Sequence, residues 1–378
     1  MKTTQFLVGL LLAIFVTTTC AIAAPLRKDE RIVRDPVTGD YTAYFWADDE
    51  TDLEMAIAIF VPATKIDPTV RSNFKIIESW NVRYTYTVSN GAKAKQSIFK
   101  IRIPNLPVNA RISNSIVVSN SDNTNSIEFF ESALSVPNVK WSGSGARTDK
   151  GVNIGWLQNS WSEATNNFDT SIGIKPNEKL NGFGFISNDL PGVWTAKLLG
   201  NTLYNRFDSS YEFPDAEISD ITRQMDEIVA KNYIPYNIAA PLIAIPTPFD
   251  PAIVLDNLRT HVATWPSKQL ADATFAAQLD AEMIAVANAY RSNQPEVARD
   301  HIEIMLDMIR REHKDIDHED DDEDDNKRGE KEHERKATTQ PIRIDRLAAR
   351  VLDFDLKYVL KRMKRDDEGE RSHGRKDK

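Results

Sequence analysis

The sequence predicts an α+β chain of more than one domain: an N-terminal all-β sandwich followed by a C-terminal α-helical domain. Three observations predict it. Between about Ile32 and Gly200, short segments alternate apolar and polar residues with a period of two, the pattern of half-buried strands. Five prolines then crowd the stretch from Pro235 to Pro251, where a chain lacking those N–H donors reads as an extended connector. Beyond Ala252 the apolar residues recur at spacings of three and four, the period of amphipathic helices.

The elements follow in order. Lys2, the apolar run Phe6–Val16 and the small-residue site Ala21-Ile22-Ala23 read as a signal peptide over residues 1–23, cleaved near Ala23. The run is shorter than the ~20 residues of a membrane span. Cys20 sits where a lipoprotein would carry its lipid, but Thr19 precedes it instead of a small Ala, Gly or Ser. Cys20 is the only cysteine, so the mature chain has no disulfide, thiolate nucleophile or Cys-bound zinc. No N-x-S/T acceptor occurs. These features together predict a bacterial exported protein, secreted or periplasmic, with no transmembrane segment. The formal net charge is −9, which leaves no basic face for general nucleic-acid binding before the C-terminal tail.

The β-sandwich domain is expected over 24–205. In VRYTYTV, Val82, Tyr84, Tyr86 and Val88 share one face against Arg83, Thr85 and Thr87, and Asn90-Gly91 follows as a tight-turn signal. Phe99, Ile101 and Ile103 repeat the alternation until Pro104 stops it. EMAIAIFV, NSIVVSN, SIEFFES, GVNIGWL, TSIGIKP, NGFGFIS and WTAKLLG supply further short strands between turn residues. Residues 206–251 hold a helix, with Ile218, Ile221, Met225, Ile228 and Val229 at helical spacing, and then the proline-rich connector.

The helical domain is expected over 252–364. A first helix runs from Ala252 to Ala263. A second, with Ser267 able to cap it, carries Ala271, Phe275, Leu279, Met283, Val286 and Tyr290. A third, near Glu296–Glu312, turns Ala298, Ile302, Met305 and Ile309 inward. A last begins near Ile344 with Leu347, Val351, Phe354 and Tyr358 on one face. Between the last two, nine of the eleven residues Asp315–Asp325 are acidic. Such a run repels itself and buries no apolar area, so a disordered charged loop is expected over 314–340, and a disordered charged tail over 365–378.

Few chemical motifs survive inspection. Counting a calcium-loop pattern from Asp324 places Gly329 correctly, but Arg328 and Arg335 fall where oxygen ligands are required. Only weak, diffuse divalent binding by Asp320, Asp321, Asp322, Asp324 and Asp325 is left, and no cofactor is expected. The six histidines show no zinc-motif spacing. Ser72-Asn73-Phe74-Lys75 and Ser121-Asp122-Asn123 match two β-lactamase motifs, but no K-T-G accompanies them and Ser72 lies in a strand-like segment. Asp353 and Asp355 stand at i and i+2 on the last helix and do not face each other. Trp141, Trp156, Trp161 and Trp194 fall in the Gly- and Asn-rich half of the β region. Burial in the core is the stronger expectation for tryptophan, and Trp161, in LQNSWSEATNN, is the candidate sugar-stacking exception.

The helical segments LDNLRTHVATW, LDAEMIAVANAYRSNQPEVARDHIEIMLDMI and IDRLAARVLDFDLKYVL together resemble the FIMAH-type domain of bacterial secreted and surface proteins over roughly 253–363. Ala298 and Ile302 carry the pattern in the middle helix, and Leu347, Ala348, Val351 and Leu352 in the last; the charged insert departs from it. The resemblance implies a helical module that accompanies extracellular binding or enzyme domains, with no site residues to transfer. The β region resembles exported bacterial sandwich domains of unassigned function. The expected function is a non-catalytic extracellular binding or adhesion module, with a polysaccharide or surface protein as partner. An extracellular polymer hydrolase with a carboxylate pair in a cleft, or a calcium-responsive structural protein, are the alternatives.

Overall fold

The computed structural model describes residues 29–46, 55–107, 117–118, 126–128, 141–158, 173–201, 204–206, 220–313 and 343–373. In chain order the strands are β1 (Arg31–Arg34), β2 (Tyr41–Trp46), β3 (Met55–Phe60), β4 (Pro68–Ile76), β5 (Val82–Asn90), β6 (Ile98–Leu106), β7 (Val117–Val118), β8 (Ser126–Glu128), β9 (Trp141–Thr148), β10 (Gly151–Gln158), β11 (Glu178–Ser187), β12 (Leu190–Gly200) and β13 (Tyr204–Arg206). Then come α1 (Asp220–Lys231), β14 (Ile234–Ile243), α2 (Pro251–Val262), α3 (Ala273–Arg291), α4 (Pro295–Glu312) and α5 (Arg346–His373). Antiparallel sheets and helices both contribute heavily, so the chain is α+β.

Two compact units divide the chain, one of residues 1–62 and 202–232, the other of 63–201 and 233–378. These limits run across the sequence-based boundaries at 205 and 251, because β13 and α1 belong to the first unit and β14 to the second. The first unit holds the sheet β1-β2-β3-β13 and α1. Its core is small: Ala43, Phe45, Ala58, Phe60, Ile221 and Met225, with Tyr41 stacked on Phe60 at 4.9 Å.

The second unit holds a seven-stranded sheet in the order β14-β12-β6-β10-β9-β8-β7 and a three-stranded sheet β11-β5-β4. The alternation read in β5 is the alternation observed: Val82, Tyr84, Tyr86 and Val88 are buried, and Arg83 is exposed. Trp156 on β10 meets Tyr86 of β5 at 5.8 Å and Phe183 of β11 at 5.7 Å. Trp156 is 5 % exposed, while Trp141 and Trp194 are partly buried against the same core. Trp194 also donates its indole N–H to the Pro104 carbonyl at 2.8 Å.

Three local expectations are corrected. The tight-turn signal at Asn90-Gly91 is not used as such: neither residue takes positive φ, and the chain passes from β5 to β6 in another sheet. The buried Asn90 amide instead donates to the Gln96 and Ile174 carbonyls at 2.7 and 2.9 Å, and its oxygen accepts from Asp67 N–H at 3.0 Å. The proline-rich stretch is not a plain connector. Residues 234–243 form β14, paired with β12 from Leu198 back to Leu190. β14 is a sheet edge, where proline is tolerated because one row of N–H groups needs no partner. Ser267 does not cap α3. It sits in a 3-10 turn, and Asp272 caps α3 by accepting from Thr274 and Phe275 N–H at 2.9 and 3.0 Å.

The helices pack into the same core as these sheets. Phe275, Leu279, Met283 and Val286 of α3 are buried, as are Ala298, Ile302, Met305 and Ile309 of α4. α5 packs against β12, β14, α2 and α4. Its burial therefore wraps most of the circumference, with Ala348, Ala349, Val351, Leu352, Leu356 and Val359 all at 1 % exposure or less. The single face expected from Leu347, Val351, Phe354 and Tyr358 is too narrow: Leu347 and Phe354 are only half-buried.

Candidate functional site

Two edge strands of the second unit, β4 of one sheet and β14 of the other, face each other. Midway along β14 both edge groups of one residue are taken: Ala239 N–H donates to Ser72 Oγ at 3.1 Å, and Tyr86 OH donates to Ala239 O at 2.8 Å. Beyond this junction the strands part and leave a groove of about 820 Å3, within the range of ligand-binding clefts. Thr69–Ser72 form one wall and Pro235–Asn237 the other, with Thr195 of β12 between and Asp345, Arg346, Leu347 and Arg350 closing the end.

The start of α5 is held there by a short bridge. Ile344 pairs with Ala271, Asp345 N–H donates to Leu270 O, and Asp272 N–H to Arg343 O, both at 2.7 Å. The two helix caps, Asp272 and Asp345, thus leave from adjoining strands. Asp345 accepts from Leu347 and Ala348 N–H at 2.8 and 3.2 Å, satisfying two of the donors a helix start leaves open.

Three guanidinium groups line the groove, Arg71, Arg346 and Arg350, against one carboxylate, Asp345. Arg350 is fixed by donating to the Ser72 carbonyl at 3.1 Å and by lying 5.5 Å from the Phe74 ring. A planar fork held in this way meets a carboxylate or phosphate with little further ordering. The hydrolase alternative asks for two carboxyl groups across an open cleft; the lining residues offer Asp345 alone.

Ser72 and three of the histidines have structural partners. Ser72 sits on a strand with its hydroxyl on Ala239, and Lys75 lies on the exposed side of β4, so the S-x-x-K match is not assembled. His301 contacts Glu282 at 2.7 Å, and His313 contacts the Ile344 carbonyl at 2.8 Å. His261 accepts from Val193 N–H at 3.0 Å through Nε2. Burial, with the Lys268 ammonium adding to it, lowers its imidazole to about 4. Asp355 is fully buried, and among the described residues neither of its oxygens has a hydrogen-bond partner. Burial first, and then the charge of Asp353, push its carboxyl well above the usual range. Among the described residues no three His, Cys, Asp or Glu cluster as a metal would require, and no helix is long and apolar enough to cross a membrane.

Trp161 and the acidic candidates Asp320, Asp321, Asp322, Asp324 and Asp325 lie outside the described residues. The groove arginines were not singled out from the sequence. The one signal that pointed to them is the i, i+4 pair Arg346 and Arg350, hidden by reading α5 for its apolar residues alone. Comparison with protein families, with curated proteins and with solved structures returned no match.

Proposed function

We propose that this is an exported, non-catalytic binding module whose groove takes up an anionic polysaccharide. The observation that carries the reading is the convergence of Arg71, Arg346 and Arg350 on an open groove, in a chain whose formal net charge is −9. Three cations against one carboxylate select negatively charged groups. The meeting of Trp156 with Tyr86 and Phe183 supports a sandwich of the two sheets as the scaffold. The signal-peptide pattern and the FIMAH-type resemblance of the helical segments support an extracellular setting.

The test is titration calorimetry of the purified protein with polygalacturonate and with neutral dextran, at two salt concentrations. Polygalacturonate should bind, weaken with salt and weaken again in Arg71→Ala and Arg350→Ala. Arg71→Ala guards against a folding defect, because Arg350 also anchors α5 to β4. Equal binding of the neutral polymer, or binding indifferent to both substitutions, would refute the proposal.

A further inference from the structure

The groove is one end of a longer charged line. Between residues 346 and 365, every α5 residue that is not buried, apart from Arg362, falls within an arc of roughly 100° at 3.6 residues per turn. Six of these residues are cations: Arg346, Arg350, Lys357, Lys361, Lys364 and Arg365. Leu347 and Phe354 are the other two, and both are half-buried. Between residues 346 and 365, the strip that this helix shows to solvent is therefore basic. It begins in the groove and runs about 28 Å at 1.5 Å per residue. It ends where the sequence turns acidic at Asp366.

The far end is built as firmly as the near one. Trp80, in the turn between β4 and β5, lies under Arg362 at 4.8 Å and under Lys361 and Arg365 at 5.7 Å. Tyr358 OH donates to the Trp80 carbonyl at 3.3 Å. Ser79 and Trp80 both take left-handed backbone, with φ of 59° and 63°. A bulky residue there costs of order 1–3 kcal/mol, and here it places an indole beneath three cations.

Resting on the polysaccharide reading of the groove, we infer that the ligand is a long linear polyuronate lying along α5 from Arg346 to Arg365, and not a short acidic sugar held in the groove alone. From Arg346 to Lys364 successive cations, Lys357 among them with its partner Asp353 at 2.8 Å, stand about 5–10 Å apart along one line, which suits a single chain with repeated carboxylates. An acidic peptide would gain most by extending a sheet edge. Here Pro235 has no N–H to offer, and both edge groups of Ala239 are bonded to Ser72 and Tyr86.

The experiment is a length series of galacturonate oligomers, from the monomer to the polymer, against wild type, Arg71→Ala and Lys361→Ala/Lys364→Ala. Lys361 and Lys364 are exposed, so the double variant should fold, which circular dichroism checks. Affinity per chain should rise with length until the strip is spanned. The double variant should bind long chains about tenfold more weakly, while the shortest oligomers are unaffected. If short and long oligomers bind alike and the double variant changes nothing, the strip is not used and only the groove reading stands. If no uronate of any length binds, the groove reading falls with it. If polyglutamate, single-stranded DNA or anionic vesicles bind more tightly than polyuronate of equal charge, the polysaccharide assignment is overturned.

Discussion

Acid should loosen this fold through His261, and the size of the effect follows from its contacts. Nε2 accepts a hydrogen bond from Val193 N–H, so the ring must be neutral with its proton on Nδ1. Protonation would turn the acceptor into a donor facing a donor, beside Lys268 and against the Trp265 ring at 5.9 Å. In the unfolded chain the imidazole titrates near its ordinary 6.5, and in the fold at about 4. A folded value below the unfolded one means stability that is complete above 6.5 and lost as pH falls towards 4. The full gap corresponds to about 3 kcal/mol, of which about 2 kcal/mol has gone by pH 5. His261→Gln keeps an acceptor for Val193 and cannot titrate. Urea melts of wild type and variant at pH 7, 6 and 5 isolate the effect, because acid-sensitive groups common to both chains cancel in the difference. The wild type should lose about 2 kcal/mol relative to the variant between pH 7 and 5. Parallel loss in the two chains, or a relative gain by wild type, would refute the reasoning.

Other outcomes are expected elsewhere in the molecule. Asp355, buried with no hydrogen-bond partner among the described residues, has the opposite sign: its raised folded value gives stability that is complete below the ordinary 3.8 and lost as pH rises. Wild type should therefore gain on Asp355→Asn as pH is lowered from 7 to 4, read from the same melts. Gly192→Ala should destabilise by about 2 kcal/mol or more in urea unfolding, because an added Cβ would meet Leu242 Cδ1 at 2.8 Å and His261 Nε2 at 2.9 Å. Ser79→Gly should raise the thermal midpoint, by an amount equivalent to about 1 kcal/mol, by relieving the left-handed backbone; a lower midpoint would show that the turn is unstrained. Arg350→Ala should cost about 1–2 kcal/mol, since it leaves the Ser72 carbonyl, in the middle of β4, without its donor.

What the sequence made legible was whatever local pattern decides. β5 shows it best, since its period of two survives unchanged as buried and exposed faces. The apolar stripes of α3 and α4 likewise became core residues at the expected positions. Long-range partners decided the rest. Pro235 and Pro241 argue locally against a strand, and only pairing with β12 makes one. Asn90-Gly91 argues locally for a tight turn with positive φ, and the distant carbonyl of Ile174 claims the Asn90 side chain. Ser267 was a plausible cap, but Asp272 is carried to the helix start by a bridge to Ile344, more than seventy residues away in sequence. The groove was illegible for the same reason. Its arginines come from β4 and from the start of α5, far apart in the chain.

The late position of β14 bears on how the protein is made and how it can be cut. Strand β12 emerges from the ribosome more than thirty residues before the strand that covers its edge. Until Ile243 has followed, that ladder stands open beside a growing chain, and Tyr86 waits for the carbonyl of Ala239. The apolar surface destined for α5 stays bare longer still. A fragment ending near residue 205 would keep these features for good, and open edges of this kind recruit other chains. Expressing the β strands by themselves should thus yield aggregates, whereas a chain carried through to α5 encloses them.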